Sequence, residues 1–168
     1  EFDFILNVKR SLFAVWQEYQ GLGLLGGMGH ATDLPRQLFL WIVSFVLPVS
    51  SLRYLYHFLM LFVGTIGAYF LIRSISVNNH TKIYDFLGAL FYLCNLATIQ
   101  LFYVPYEAFS THFASLPWLL LTTILFFRKQ NPTNTILLFI TLFLSTPTAY
   151  IPTLFIVVLI ATAIVLTP

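Results

Sequence analysis

The segment Trp16-Gln17-Glu18-Tyr19-Gln20-Gly21-Leu22-Gly23 sets a carboxylate, two amides and two aromatic rings beside a glycine-rich loop. Aromatic faces suit sugar rings, and glutamine side chains bond hydroxyls. Glu18 could serve there as a general base or a metal ligand. The competing reading is an interfacial belt, because Trp and Tyr settle at the headgroup level of any membrane protein.

The run Gly21–Gly29 could bring backbone N–H groups close to a phosphate. No Gly-Lys-Ser/Thr follows it, so it is neither a P-loop nor a dinucleotide fingerprint. A tight turn between interfacial helices is the alternative. His30, Asp33 and Arg36 follow at spacings of three, which one helical face would share. His30 and Asp33 could hold a cation, and Arg36 could grip a phosphate through two N–H groups. Equally, Asp33 could cap a helix while Arg36 sits among headgroups. Lys9 and Arg10 could bind one lipid phosphate or headgroups in general.

Further along, Asp85, Gly88, Tyr92, Asn95 and Thr98 recur at helical spacing. A polar stripe at membrane depth must face protein or water. Asp85 could simply favour the helix dipole, and Asn95 could join helices. Gly64, Gly67 and Ala68 form a small-residue patch for close helix packing. Glu107 and His112 sit together in an expected connection and could reach a site there, and His57 is a further polar group at a membrane edge. No Ser/His/Asp set, HExxH or paired-cysteine motif is present. The lone cysteine, Cys94, excludes a disulfide framework and a cysteine-based metal site. Asn79-His80-Thr81 fits a glycosylation sequon, but it falls on the expected cytoplasmic side and reads as chance.

Positioning these groups is the work of a very apolar chain. Of 168 residues, 59% are hydrophobic and 8% charged. A soluble domain carries roughly 25% charged residues. Fourteen charges cannot coat a soluble globule of this size, so the bilayer is the expected solvent. The net charge of +2 is too small and dispersed for nucleic-acid binding. The chain starts at Glu1 and stops at an apolar tail, and the expectation is a piece of a larger polytopic protein.

Two regions follow. Residues 1–51 form an expected loop with amphipathic and interfacial helices, and residues 52–168 a transmembrane helix region. In the first, Phe4-Ile5-Leu6, Leu12-Phe13 and Val15-Trp16 around Lys9-Arg10 predict a short amphipathic helix. The glycine run ends it. Thr32 or Asp33 caps a new helix with Pro35 in its first turn. A spanning helix needs about 20 apolar residues. Leu38–Val49 is too short and reads as interfacial or re-entrant. Tyr54–Ile72 and Phe86–Val104 are good spans. Phe113–Phe127 is shorter, with Pro117 near its start. Thr135–Leu144 and Ile151–Leu166 are two short segments, or one span and a half-helix. The expectation is four firm membrane segments and one or two doubtful ones.

The connection after Ile72 carries Arg73 and Lys82, and the one after Phe127 carries Arg128 and Lys129. The positive-inside rule places both in the cytoplasm. Parity then puts Glu107 and residues 1–51 outside. Lys9, Arg10, Arg36 and Arg53 fall outside too, making the count four against four. The short connections decide, because the first region is long and also acidic.

As a whole the chain resembles the membrane-embedded glycosyltransferases of the C superfamily, above all the bacterial α-arabinofuranosyltransferase-like integral membrane proteins. The features that carry the resemblance start with Asn7-Val8-Lys9-Arg10-Ser11-Leu12 leading to Val15-Trp16, then Tyr19-Gln20-Gly21-Leu22-Gly23. Asp33-Leu34-Pro35, the span Leu52–Arg73, Phe91-Tyr92-Leu93 with Asn95, and Leu116-Pro117-Trp118-Leu119-Leu120 follow. Together they cover most of residues 1–125.

The resemblance implies an all-α polytopic membrane protein with a GT-C-like helix arrangement. Residues 1–51 would be the first extracytoplasmic loop, bearing juxtamembrane helices, and Tyr54–Ile72 the second transmembrane helix. It implies a bacterial-type cytoplasmic membrane, a polyprenyl-phosphate sugar donor and a glycan acceptor outside. The catalytic acid of that family is usually near the start of this loop, so the true acid could lie upstream of Glu1. Asp3 and Glu18 are the candidates within the chain. Either would take the acceptor proton or ligate Mg²⁺ or Mn²⁺. Lys9, Arg10 or Arg36 would neutralise the donor phosphate, Trp16, Tyr19, Gln20 and His30 would line the site, and Asp33 is a candidate metal ligand. The rival readings are a transporter or flippase of lipid-linked sugars, with Pro117 and Pro147 marking broken helices, and a non-catalytic membrane scaffold.

Overall fold

A computed structural model describes residues 4–13, 16–17, 24–25, 31–76, 82–103 and 106–166. Almost all of them are helical. The first helix, α1 (Phe4–Phe13), is followed by two short strands, β1 (Trp16–Gln17) and β2 (Leu24–Leu25). The strands pair antiparallel, Trp16 opposite Leu25 and Gln17 opposite Leu24. The expected turn in the glycine run lies outside the described residues.

Helix α2 (Leu34–Val43) starts at Asp33 with Pro35 in its first turn, as the residues predict. Pro is at home there because its missing N–H would have no partner anyway. The capping expectation needs correction. Asp33 occupies the cap position but makes no side-chain cap bond. Its carboxylate turns to Arg36 instead.

Helix α3 (Val49–Ile75) runs 27 residues, about 40 Å at the usual helical rise. It is longer than the expected span at both ends and passes through the small-residue patch. Helices α4 (Lys82–Cys94) and α5 (Leu96–Tyr103) occupy the span expected over Phe86–Val104, but they bend by 45° at Asn95. Asn95 makes the break. Its amide donates to the Tyr92 carbonyl at 2.8 Å, and its side-chain oxygen accepts from Thr98 N–H at 2.9 Å. The amide that could join helices instead ends one and starts the next.

Helix α6 (Glu107–Arg128) begins six residues before the expected Phe113. Glu107 and His112 are therefore helical rather than part of a connection. Pro117 lies inside this helix without ending it. Helix α7 (Pro132–Ser145) is capped by Asn131, which accepts from Asn134 N–H at 2.7 Å. A 3₁₀ turn over Thr146–Tyr150 separates it from α8 (Pro152–Leu166). Breaks therefore fall at Asn95 and around Pro147, and not at Pro117.

Among the described residues, two helices, α3 and α6, are long and apolar enough to cross a membrane, and three if the bent α4–α5 pair is one span. The expected four firm segments shrink because α7 and α8 are each shorter than a crossing needs. Large apolar side chains on α3 to α8 face outward, among them Phe62, Phe91, Phe139 and Ile164.

Close packing of α3 on α6 holds the bundle. A Cβ on Gly64 would lie 2.6 Å from the Phe113 ring and 2.8 Å from its carbonyl oxygen. A Cβ on Gly67 would lie 2.6 Å from Trp118 Nε1. That indole instead donates to the Val63 carbonyl at 2.9 Å. Thr122 and Thr141 hydroxyls join α6 to α7 at 2.9 Å. At one end Arg128 Nη1 donates to the Ser74 carbonyl at 2.8 Å, pinning the last turns of α3 and α6 together. At the other, the Thr146 hydroxyl donates to the Thr32 carbonyl at 3.1 Å, tying the end of α7 to the entry of α2.

Candidate functional site

The starts of α2, α3 and α6 meet at one end of the bundle and bring four charges together. Arg36 Nε donates to Asp33 Oδ1 at 2.6 Å, and its Nη2 bonds Oδ2. Gln37 Nε2 donates to the same Oδ2 at 2.7 Å. Glu107 Oε1 accepts from Arg53 Nε at 2.8 Å and lies 3.7 Å from Arg36 Nη1. Two arginines thus face two carboxylates, and the cluster is neutral.

Burial works against the charge of Arg36, but the bond to Asp33 and the fields of Asp33, Glu107 and Tyr56 outweigh it. The guanidinium is held above even its ordinary, very high range. Its Nη1 group has no acceptor within hydrogen-bond length in Glu107, so it retains donor capacity.

Below this rim lies a cavity of about 380 Å³, within the range of small-molecule sites. Pro35, Arg36 and Phe39 form its α2 wall; Tyr56 and Met60 belong to α3, and Trp118 to α6. Its polar wall groups are spent on backbone carbonyls and on each other, the Ser115 hydroxyl reaching the His112 carbonyl at 3.4 Å. The Thr111 hydroxyl donates to the Glu107 carbonyl at 2.6 Å, so the Tyr56 hydroxyl donates to Thr111 Oγ1 at 2.7 Å. Thr141 is similarly occupied with Thr122. What remains facing the cavity is apolar, with one guanidinium at the rim. The arrangement suits an aliphatic chain ending in a hydrogen-bond acceptor.

Of the residues singled out from sequence, Arg36, Asp33 and Glu107 stand at this rim. Arg36 is ion-paired and largely buried rather than loose among headgroups. Asp33 has both oxygens engaged by Arg36 and Gln37, so a divalent ion would have to displace that guanidinium. Among the described residues no group of three His, Cys, Asp or Glu could cage Mg²⁺ or Mn²⁺. Lys9 and Arg10 are exposed on α1, which packs against α2. Trp16 is placed by its backbone in β1. Asp3, Glu18, Tyr19, Gln20 and His30 lie outside the described residues.

Sequence reasoning missed Arg53 as the partner of Glu107, and Tyr56 and Thr111 as a bonded pair in the cavity wall. A signal existed in the spacing. Arg53 and Tyr56 are one helical turn apart, as are Glu107 and Thr111, so each pair shares a face.

No protein-family model, curated protein or solved structure matches the chain.

Proposed function

We propose that the chain belongs to an integral membrane glycosyltransferase that moves a sugar from a polyprenyl-phosphate donor to an extracytoplasmic glycan or lipid acceptor. The observation that carries this reading is the apolar cavity beneath Arg36. A prenyl chain needs an apolar channel without unpaired polar groups, and its phosphate needs a cation at the channel mouth. Both features meet between α2, α3 and α6.

In the proposed reaction the acceptor hydroxyl attacks the anomeric carbon. The bond from that carbon to the phosphate oxygen breaks, and the phosphate leaves with the electron pair. Arg36 Nη1 would hold the growing negative charge. The acceptor proton would pass to Glu18 or Asp3. A positioned general base of this kind is typically worth 10²–10⁴-fold.

The test uses the full-length protein in proteoliposomes with a labelled polyprenyl-phosphate sugar. Arg36→Gln should raise the donor KM several-fold. Glu18→Gln or Asp3→Asn should lower kcat at least about a hundredfold if that residue is the base. Glu18→Gln with full transferase activity would remove Glu18 from the mechanism.

The second reading, a flippase for lipid-linked sugars, draws on the 45° break at Asn95. Broken helices are common around transporter substrate sites. Movement of labelled lipid between leaflets without any new glycosidic bond would favour it over transfer.

A further inference from the structure

Helix α1 is amphipathic in the reverse of the usual sense. A helix packed on a neighbour in water turns its apolar face inward. Here the side turned in carries Ser11, which is buried with its hydroxyl bonded to the Asn7 carbonyl at 2.9 Å. The larger apolar residues described point away, while Val8 is half-buried beside Ser11. Phe13 is 78% exposed, Ile5 69% and Leu12 55%. At about 100° per residue, Leu12, Ile5, Lys9, Phe13, Leu6 and Arg10 succeed one another around a single outward arc. Both cations of the helix lie within that arc, and the helix has no acidic residue. An arc of large apolar side chains facing water would be unfavourable by about 1.5–3 kcal/mol for each one left uncovered.

We infer that the outward face of α1 is seated in the membrane interface and selects anionic lipid headgroups. The apolar side chains enter the acyl boundary, as in interfacial helices generally. Lys9 and Arg10 lay their stems along that surface and raise their charges to the lipid phosphates. Charge complementarity picks the headgroup, since two adjacent cations without an acid favour a lipid bearing net negative charge. Because α1 packs on α2, which forms a wall of the cavity, the same contact sets the height of the cavity wall relative to the headgroups. The inference does not depend on the glycosyl-transfer reading.

The test places the full chain in nanodiscs, with Cys94→Ser and a fluorophore on Phe13→Cys. Nitroxide-labelled phosphatidylglycerol and nitroxide-labelled phosphatidylcholine serve in turn as quenchers at equal mole fraction. Both should quench, because the helix is seated in either lipid. The association constant of labelled phosphatidylglycerol relative to phosphatidylcholine should exceed one, by up to about fivefold per cation. Lys9→Gln with Arg10→Gln should bring that ratio to one while quenching itself persists. These two residues are exposed, so the variant keeps the fold. A fluorophore unquenched by either lipid overturns the inference, and so does one shielded by a co-purified protein. A ratio of one in the unmodified helix overturns the headgroup selection.

Discussion

Pro117 shows how one residue dictates the chemistry of another. A proline has no N–H, so the carbonyl four residues back loses its helical partner. That carbonyl belongs to Phe113, and it is buried against α3 beside Gly64. An unpaired buried carbonyl costs about 1–3 kcal/mol. The Tyr92 hydroxyl, reaching across from α4, donates to it at 2.8 Å. The two rings also stack, with centroids 4.4 Å apart. The tyrosine thus replaces the hydrogen bond that proline removed. A double-mutant cycle should expose this. Tyr92→Phe alone should destabilise the protein by about 1 kcal/mol. In a Pro117→Ala background, where residue 117 regains its N–H, the same change should be close to neutral. The readout is the thermal midpoint in detergent, and equal losses in both backgrounds would deny the exchange. Tyr92 was visible in sequence as part of a polar stripe, but its partner was not. Nothing in the spacing of α4 says which carbonyl of α6 lies opposite. Arg36 was visible as a cation near Asp33, and its link to Glu107 depends on a contact between segments about 70 residues apart.

At the scale of elements, glycine sets the distance between helices. Gly64 and Gly88 both sit in helices and both lack room for a Cβ, yet their neighbours differ. At Gly64 the obstacle includes a backbone carbonyl 2.8 Å away, which cannot rotate aside. At Gly88 it is Ile72 Cδ1, the tip of a flexible side chain, at 2.5 Å. Gly64→Ala should therefore force α3 off α6 and destabilise by about 1–3 kcal/mol. Gly88→Ala should be near neutral, because repacking Ile72 is offset by the better helix propensity of alanine, worth about 1 kcal/mol. Thermal unfolding of the two variants under identical conditions checks the contrast, and a Gly64→Ala protein as stable as the parent would contradict it. The small-residue patch of α3 was plain in the sequence because its i, i+3 spacing is local. The bend at Asn95 was hidden for the opposite reason. The apolar run through it is continuous, and hydropathy does not register a side chain that caps its own helix. The early start of α6 was hidden by Tyr106-Glu107, whose polar character resembles a connection although it is the first helical turn.

For the whole molecule, the two ends are chemically distinct. Arg73, Lys82, Arg128 and Lys129 belong to the end where Arg128 grips Ser74. Asp33, Arg36, Arg53 and Glu107 gather at the other, over the cavity mouth. Sequence counting left the cations at four against four, and the helix packing leaves that count unchanged. What the packing adds is that Arg73, Lys82, Arg128 and Lys129 sit at the helix ends that flank two short connections, the part of a chain that weighs most in orientation, while Arg36 and Arg53 sit with carboxylates on helix starts. The orientation we propose keeps the Arg73 and Arg128 end in the cytoplasm, which would turn the cavity mouth to the extracytoplasmic side. Tyr106 and Gln130 are exposed and flank α6 at opposite ends. In a Cys94→Ser background, Tyr106→Cys should react with a membrane-impermeant maleimide on intact cells, whereas Gln130→Cys should react only after the membrane is opened. The reversed pattern would turn the cavity mouth to the cytoplasm. It would also take the proposed donor away from the side of the proposed external acceptor. The orientation measurement therefore bears on the proposed chemistry before any sugar is transferred.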